Sequence, residues 1–421
     1  MDSPSFSRDP LPEAAAFRRC TRVIMARGSA EKGRKSRTTI GTRKAETRGR
    51  GVARRKYTEG ANNRCSVEKQ TTANEAPRVA IAAKFVHKGL PKDSGNSEHS
   101  KPGNSKQAAC KLWFDQIYDL GLPKLRKEFV QKIKQCNPDG AHEACMADEN
   151  FSKNRYDDVF LLDKTRIKVN INPDKDDYIH ASAVEVHPEL TYICAQGPMD
   201  NTVAQFWLMC IQEDVRVILQ LCQNTEDGKE KCSEYMTGGK SDWVTYGPVQ
   251  VKQVDYQKNV AGTKKVNKTK IQVKFNDKVH SCTHLLYAGW PDHGVPESVS
   301  TCREVRNLVH KYYEKKPIVI HCSAGVGRTG TFVAIEMVCH KLMQEENANF
   351  TMLELVKNLR EQRMHAVQND QQYCFIIRCV IEILVAEDCL PRNPRVIQFI
   401  QDFEEMVERK KKQRAARVEK D

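Results

Sequence analysis

Residues 321 to 330 of this 421-residue chain read His-Cys-Ser-Ala-Gly-Val-Gly-Arg-Thr-Gly, a run that carries a nucleophile, a set of backbone donors and a fixed cation. Just before it, Lys316-Pro317-Ile318-Val319-Ile320 is a short apolar stretch bounded by proline, which predicts a buried strand. After it, Phe332, Ile335, Val338, Leu342 and Met343 recur at helical spacing. The order is strand, tight loop, helix. A loop that opens a helix turns several N–H groups toward one point, with the positive end of the helix dipole behind them, and such a point takes a phosphate. Cys322 stands at the mouth of that cradle, where the donors and Arg328 favour thiolate over thiol and so make a nucleophile available at neutral pH. Arg328 can offer its planar fork to two oxygens of a transferring phosphoryl group. Gly325 and Gly327 let the backbone curl without a Cβ clash.

Two other readings compete for the same residues. Gly325, Gly327 and Gly330 match Gly-x-Gly-x-x-Gly, the dinucleotide-binding fingerprint. That fingerprint needs an acidic residue roughly 20 positions on, at the end of a second parallel strand. Here Glu345 and Glu346 still lie on the outgoing helix pattern. Taken alone, Cys-x5-Arg also fits a buried structural cysteine ahead of an ordinary glycine-rich turn, and the rest of the chain weighs against that.

Further segments follow in a telling order: Lys153-Asn154-Arg155-Tyr156 with Asp158, Asp177-Tyr178-Ile179 with Ala181-Ser182, Gln196-Gly197-Pro198, Glu226 to Tyr235, Trp290-Pro291-Asp292, and Gln368 through Tyr373. With the Cys322 loop they resemble the cysteine-based protein tyrosine phosphatases over roughly residues 108 to 388. The Lys-Asn-Arg-Tyr segment points to the classical tyrosine-specific, non-receptor branch. The resemblance implies an α/β fold, a single domain with a twisted mixed β-sheet flanked by helices. It also implies hydrolysis of phosphotyrosine in proteins through a cysteinyl-phosphate intermediate, as part of signalling.

The roles carried over are these. Cys322 is the nucleophile, Arg328 the phosphate clamp, and Asp292 the acid that protonates the departing phenolate and then the base that activates water. Gly294 and Pro296 suit a loop that swings shut over the site. Gln368 positions the hydrolytic water, and Gln372 is the second glutamine of that segment. Thr329 hydrogen-bonds the thiolate region and helps the cysteine leave. Ser323, Ala324, Gly325, Val326 and Gly327 line the phosphate cradle. Tyr156 stacks on the substrate ring and sets a depth that phosphoserine cannot span, and Asp158 accepts from the substrate backbone. Glu226 braces Arg328, and His321, Lys231 and Trp290 support the site.

The chain also departs from the family pattern. His180 stands where asparagine is usual, Met236 where tryptophan is common after Tyr235, and Asn369 where threonine follows the catalytic glutamine. None of these removes a reacting group. Asp157, beside the recognition tyrosine, disfavours acidic flanks in a substrate. His365 replaces a glycine that opens a second phosphotyrosine pocket in some relatives, so that pocket is expected to be blocked, with Arg360 and Arg363 as structural pairs.

The formal charge is +14, and residues 1 to 105, with 23 Lys and Arg against 10 Asp and Glu, carry +13 of it. That stretch has few aromatics and little apolar periodicity and reads as a disordered basic tail, apart from a weak apolar island from Ala76 to Val86. Its charge suits an acidic partner such as RNA, DNA, an anionic membrane surface or a nuclear import receptor; a solvated tail with no dedicated partner fits equally. Residues 106–390 are expected to form the catalytic domain, opening with an amphipathic helix that includes Leu112, Trp113, Phe114, Ile117, Leu120, Leu125, Phe129 and Ile133 and is interrupted near Gly121-Pro123. Strands are expected between Trp243 and Leu286 and mostly helices from Ser300. Residues 391–421 form a helical basic extension. Its stripe of Val396, Ile397, Ile400, Phe403, Met406 and Val407 fits packing on the domain, a partner helix or a solvated end.

Sixteen cysteines without a Cys-x2-Cys pair argue against structural zinc, and the expected chemistry needs no metal or cofactor. No signal-like or membrane-spanning apolar run is visible, so a soluble, cytoplasmic protein with reduced thiols is expected, with the nucleus as the alternative. Two rival functions remain open to test. One is a pseudophosphatase that binds phosphotyrosine without hydrolysis, a class that commonly lacks one of Cys322, Asp292, Arg328 or Gln368. The other is an enzyme directed to RNA by its tail.

Overall fold

The computed structural model describes residues 102–236, 242–260, 262–345 and 349–418. Nearly all of the basic tail, including the island at 76–86, lies outside these residues.

The described chain begins with α1 (Pro102–Glu128), broken at Gly121, whose φ of 68° and ψ of 158° are not helical. Pro123 follows at once, where a proline opens a helix without losing a bonded N–H. The helix runs on into one π-helical turn, Phe129–Ile133. Cys110, Trp113, Phe114, Ile117 and Leu125 are buried, whereas Leu112 and Leu120, expected on the apolar face, are 61% and 42% exposed. At about 100° per residue, Leu112 falls on the face opposite the stripe set by 110, 113, 114 and 117, and Leu120 to its side.

Two short helices, α2 (Glu143–Met146) and α3 (Asp148–Phe151), precede β1 (Arg166–Lys168), β2 (Tyr178–His187) and β3 (Leu190–Ala195). Then come α4 (Val203–Gln212), β4 (Val217–Gln220), β5 (Thr225–Glu226), β6 (Lys229–Glu230), β7 (Val244–Tyr246), β8 (Val249–Gln257), β9 (Val266–Phe275) and β10 (Lys278–Tyr287). The last part is α5 (Val299–Tyr312), β11 (Ile318–His321), α6 (Arg328–Gln344), α7 (Met352–Gln362), α8 (Asp370–Ala386) and α9 (Pro394–Val418).

The main sheet has nine strands in the order β1-β2-β3-β11-β4-β10-β9-β8-β7, and β5 pairs with β6 as a separate ribbon. Its centre is parallel: β11 runs parallel to both β3 and β4, and β4 parallel to β10. All other pairings are antiparallel. Every residue of β4 and β11 is buried, as expected of central parallel strands covered on both faces. In β9, by contrast, buried residues tend to alternate with partly exposed ones. The mixed sheet flanked by helices is the fold class that the sequence implied.

Helices α5 and α6 lie on the sheet, α8 packs against both, and α1 and α9 pack on α8. The C-terminal stripe therefore turns back onto the domain. Val396, Phe399, Phe403 and Met406 are buried, each worth about 2 kcal/mol, while Ile397 is exposed. Ser298, Thr351 and Asn369 cap α5, α7 and α8 with their side chains. By contrast α6, which emerges from the Cys322 loop, starts at Gly327 with no side-chain cap. The loop that joins β11 to α6 opens at the carboxyl end of the parallel strands, where α/β sheets place their ligand crevices.

Candidate active site

The loop after β11 is held by its backbone carbonyls. Arg363 is fully buried and donates from Nε to the Gly325 carbonyl at 3.1 Å and from Nη2 to that of Ala324 at 3.2 Å. Its other contacts are Ser182 Oγ at 3.2 Å and His180 Nδ1 at 3.1 Å. Arg363 is structural, as expected, but its partners are carbonyls of the loop, not carboxylates. Arg360 likewise donates to the carbonyls of Ile133, Cys136, Ala366 and Val367.

His180 donates from Nε2 to the Val159 carbonyl at 2.9 Å, which leaves Nδ1 to accept from Arg363. Burial drives its pKa down to about 3, with the Arg363 charge acting in the same direction, so the ring stays neutral. Gly325 sits at φ 70°, where a Cβ would lie 2.1 Å from the Ala195 carbonyl oxygen. Only glycine fits there. A Cβ on Gly327 would meet the Gln368 amide oxygen at 2.5 Å, so this glycine lets Gln368 close on the loop. The carbonyl of Ser323 accepts from Gly197 N at 2.9 Å, and that of Val326 from Val367 N at 3.0 Å. The backbone N–H groups from Ser323 to Thr329 donate to no protein acceptor among the described residues. They are left for an anion.

His321 is fully buried beneath the loop. Its Nδ1 lies 3.3 Å from the Cys322 carbonyl and its Nε2 lies 2.7 Å from the Tyr235 hydroxyl. Burial brings its pKa down to about 4 against the opposing pull of the Cys322 carbonyl, so Nδ1–H donates and Nε2 accepts from Tyr235. His284, neutral for the same reason, then donates to Gln220 Oε1 at 3.0 Å. This chain of neutral groups orients the loop and transfers no proton.

Cys322 is only 3% exposed and faces the cavity. Arg328, 1% exposed, meets Glu226 through two parallel bonds of 2.7 and 2.9 Å and donates to the Trp290 carbonyl at 3.0 Å. Burial disfavours its charge, but the bonds to Glu226 outweigh this and hold the guanidinium above its ordinary pKa. Asp292 lies 3.2 Å from Arg328 Nη2 and 2.7 Å from Lys231 Nζ. Burial works to raise the Asp292 pKa, but the bond from Lys231 and the charges of Arg328 and His293 prevail and hold it below the usual carboxylate range. The loop that carries Asp292 thus lies against the cavity. Trp290 anchors it, 1% exposed, with Nε1 donating to the Gly294 carbonyl at 3.1 Å.

The opposite wall is set by Gln196, which accepts from Arg155 N at 3.0 Å and donates to the Lys153 carbonyl at 2.7 Å. Arg155 donates to the carbonyls of Gly197 and Pro198. Tyr156 is thereby fixed beside the loop, with its hydroxyl 2.8 Å from Ser323 Oγ. Together Tyr156, Asp158, Asp292, Cys322, Ser323, Ala324, Gly327, Arg328, Gln368 and Gln372 line one cavity of about 230 Å³, joined by Val159 and His293.

The Gln372 amide oxygen accepts from Gln368 N at 3.0 Å, and its buried Nε2 has no partner among the described residues. Thr329 is also fully buried, and its hydroxyl has no partner there either, including Cys322, to which the sequence assigned it. Val326 points into the core, so only its backbone serves the cradle. His365 lies next to Phe160, their ring centroids 6.0 Å apart.

Sequence reasoning missed the loop-holding role of Arg363 with His180 and Ser182, the Tyr235–His284–Gln220 network, and the wall residues Val159 and His293. Their signals were thin. Buried histidines and a buried arginine leave no periodicity or spacing to read.

A Cys-x5-Arg loop at the end of a central parallel strand, faced by a Trp-Pro-Asp loop, defines the cysteine-based phosphatase class. The family model for protein-tyrosine phosphatase matches residues 150–382, and the chain belongs to that family. It is 31% identical over 344 residues to receptor-type tyrosine-protein phosphatase eta of Gallus gallus, covering 77% of this chain and 24% of that protein. To tyrosine-protein phosphatase non-receptor type 9 of Mus musculus it is 30% identical over 284 residues, covering 63% and 47%. To non-receptor type 12 of Homo sapiens it is 34% identical over 242 residues, covering 56% and 30%. The chain thus spans less than half the length of these relatives.

A solved structure described as PTPN18 in complex with HER2 phosphopeptides matches with a TM-score of 0.54 and 25% identity over 67% of this chain and 98% of that one. Another PTPN18 structure, with a TM-score of 0.58 and 24% identity over 66% of this chain and 99% of that one, shares the fold. The expected family is borne out, with non-receptor types among its relatives. Among the described residues, no helix is long and apolar enough to cross a membrane.

Proposed function

We propose that this protein hydrolyses phosphotyrosine in proteins through a phosphocysteine at Cys322. The observation that carries the reading is the single cavity in which Cys322, Arg328, Asp292, Tyr156 and Gln368 converge. The phosphate dianion sits on the free N–H groups of the loop and takes the fork of Arg328, which Glu226 holds in plane.

Asp292 is an ion paired with Arg328 and Lys231. A dianion on Arg328 replaces that cation with negative charge beside the carboxyl and pushes it toward the protonated acid. Cys322 Sγ then attacks phosphorus, the bond to the phenolic oxygen breaks, and Asp292 delivers its proton to that oxygen. In the second step a water held by Gln368 attacks phosphorus and gives a proton to the Asp292 carboxylate, and the S–P bond breaks to free phosphate and the thiolate. Thr329 has an unengaged hydroxyl close in sequence to Arg328, consistent with a role for it once the thiolate forms.

Tyr156 is fixed by Ser323 at the wall and sets the depth that admits a phosphoaryl group. Phosphotyrosine-containing proteins are therefore the proposed substrates, with a cytoplasmic location and chemistry that needs no metal. An acidic partner for the basic residues 1–105 stays part of the proposal. The test is phosphate release from a phosphotyrosine peptide and a matched phosphoserine peptide, in EDTA and reductant. Release from phosphotyrosine alone, abolished in Cys322→Ser and strongly slowed in Asp292→Ala, supports the reading. Tight binding without release indicates a pseudophosphatase, and equal release from both peptides removes the role given to Tyr156.

A further inference from the structure

The backbone carbonyl of His293, the residue after the proposed acid, is held from two sides. Asn369 Nδ2 donates to it at 3.1 Å and Arg414, from α9, at 2.8 Å. His293 has a φ of 52°, a sparsely populated conformation for a residue with a side chain, which persists only where the surroundings hold it. Its own N–H donates to Asp292 Oδ1 at 3.1 Å, so the residue whose carbonyl these donors fix is itself hydrogen-bonded to the carboxyl.

Asn369 does two jobs at once. Its amide oxygen caps α8 by accepting from Gln371 N at 3.0 Å and Gln372 N at 2.9 Å, which turns the amide nitrogen toward His293. The threonine usual at this position could cap the helix but has no second arm for the acid loop. Arg414 is brought there by the packing of α9. Phe403 lies 6.3 Å from Phe375, which in turn lies 5.4 Å from Trp290 of the acid loop. Lys410 pairs at 2.6 Å with Asp370, which also holds Arg126 of α1 at 2.7 Å.

We propose that Asn369 and Arg414 are positioning residues that hold the acid loop shut by sharing the carbonyl oxygen of His293. The inference rests on the phosphotyrosine hydrolase reading and adds to it that the C-terminal helix takes part in closing the site. Neither side chain touches substrate. Both act through the placement of Asp292, so their loss must be felt most where proton delivery to the leaving group matters most.

The experiment uses the full chain with Arg414→Ala, Arg414→Lys and Asn369→Thr, and measures kcat/KM on a series of substituted phenyl phosphates. Phenyl phosphate needs the acid, whereas dinitrophenyl phosphate expels a stable phenolate without it. Arg414→Ala and Asn369→Thr should each lose about three- to tenfold on phenyl phosphate and little on the dinitrophenyl ester, so that rate falls more steeply with leaving-group basicity. Arg414→Lys, which keeps a donor, should regain most of the loss. Unchanged rates on every ester, or equal losses on all of them with a lowered melting temperature, overturn the proposal. A wild-type chain that releases phosphate from neither ester overturns the hydrolase reading and this inference with it.

Discussion

Glu226 and Arg328 lie face to face, joined by two hydrogen bonds of 2.7 and 2.9 Å. The pair fixes the plane of a guanidinium that is 1% exposed and would otherwise be a buried, rotating charge. Glu226→Ala should therefore lower kcat/KM on a phosphotyrosine peptide by about ten- to a hundredfold, the cost of one charge-assisted contact. Glu226→Gln should fall between. Steady-state kinetics check this, and a rate within twofold of wild type for Glu226→Ala would remove the bracing role.

Lys231 and Arg328 together keep Asp292 ionised, against a burial that favours the neutral acid. Removing Lys231 takes away one of the two cations, so the Asp292 pKa must rise. In Lys231→Met the fall of kcat/KM toward alkaline pH, set by loss of the acid proton, should move to higher pH. A shift to lower pH would contradict the pairing.

Arg363 serves the loop as a buried fork with four side-chain and carbonyl partners. Arg363→Met strands those acceptors at about 1 to 3 kcal/mol each, and several kcal/mol of stability should be lost together with activity. Arg363→Lys should recover little, since an ammonium cannot reach the Gly325 and Ala324 carbonyls and Ser182 in one plane. Urea unfolding followed by activity at a folded concentration of denaturant separates the two losses. A stable, active Arg363→Met chain would show that the loop holds itself.

His180, His284 and His321 are held neutral by burial, at about 3, about 3 and about 4, while unfolded histidine titrates near the ordinary 6.5. The folded pKa lies below the unfolded one, so the unfolded chain binds protons first as pH falls. Stability is complete above about pH 6.5 and is lost from there downward, by about 1.4 kcal/mol per pH unit for each ring once well below 6.5. Chemical denaturation at pH 7.5 and at pH 5 should show the drop, and His284→Gln should lessen it. Equal stability at the two pH values would mean that these rings charge in place.

The groups proposed to react were legible because their chemistry fixes both residue type and spacing. Cys322 and Arg328 must stand on one loop, and the short apolar strand Ile318–His321 before it and the helix Arg328–Gln344 after it are almost wholly buried, as their apolar residues imply. The break at Gly121 and the return of α9 were also within reach, since a glycine followed closely by proline and a stripe ending in Met406 leave local marks. What the sequence could not reveal are contacts across the fold. Arg363 finds Gly325 over 38 positions and Arg414 finds His293 over 121. Both are single polar residues whose meaning comes only from what packing brings opposite them. Leu112 and Leu120 err in the other direction, as apolar residues that lie off the buried stripe and stay exposed.

Hydrolysis by this route must pass through a covalent phosphoryl group on Cys322. The direct measurement mixes the full chain, as Gln368→Ala to slow the second step, with a phosphotyrosine peptide, quenches in acid within milliseconds, and weighs the digested fragments. One phosphoryl group is expected on the fragment that contains Cys322, decaying as phosphate appears and absent from Cys322→Ser. Phosphate release with no adduct on that fragment, or an adduct elsewhere, would contradict it.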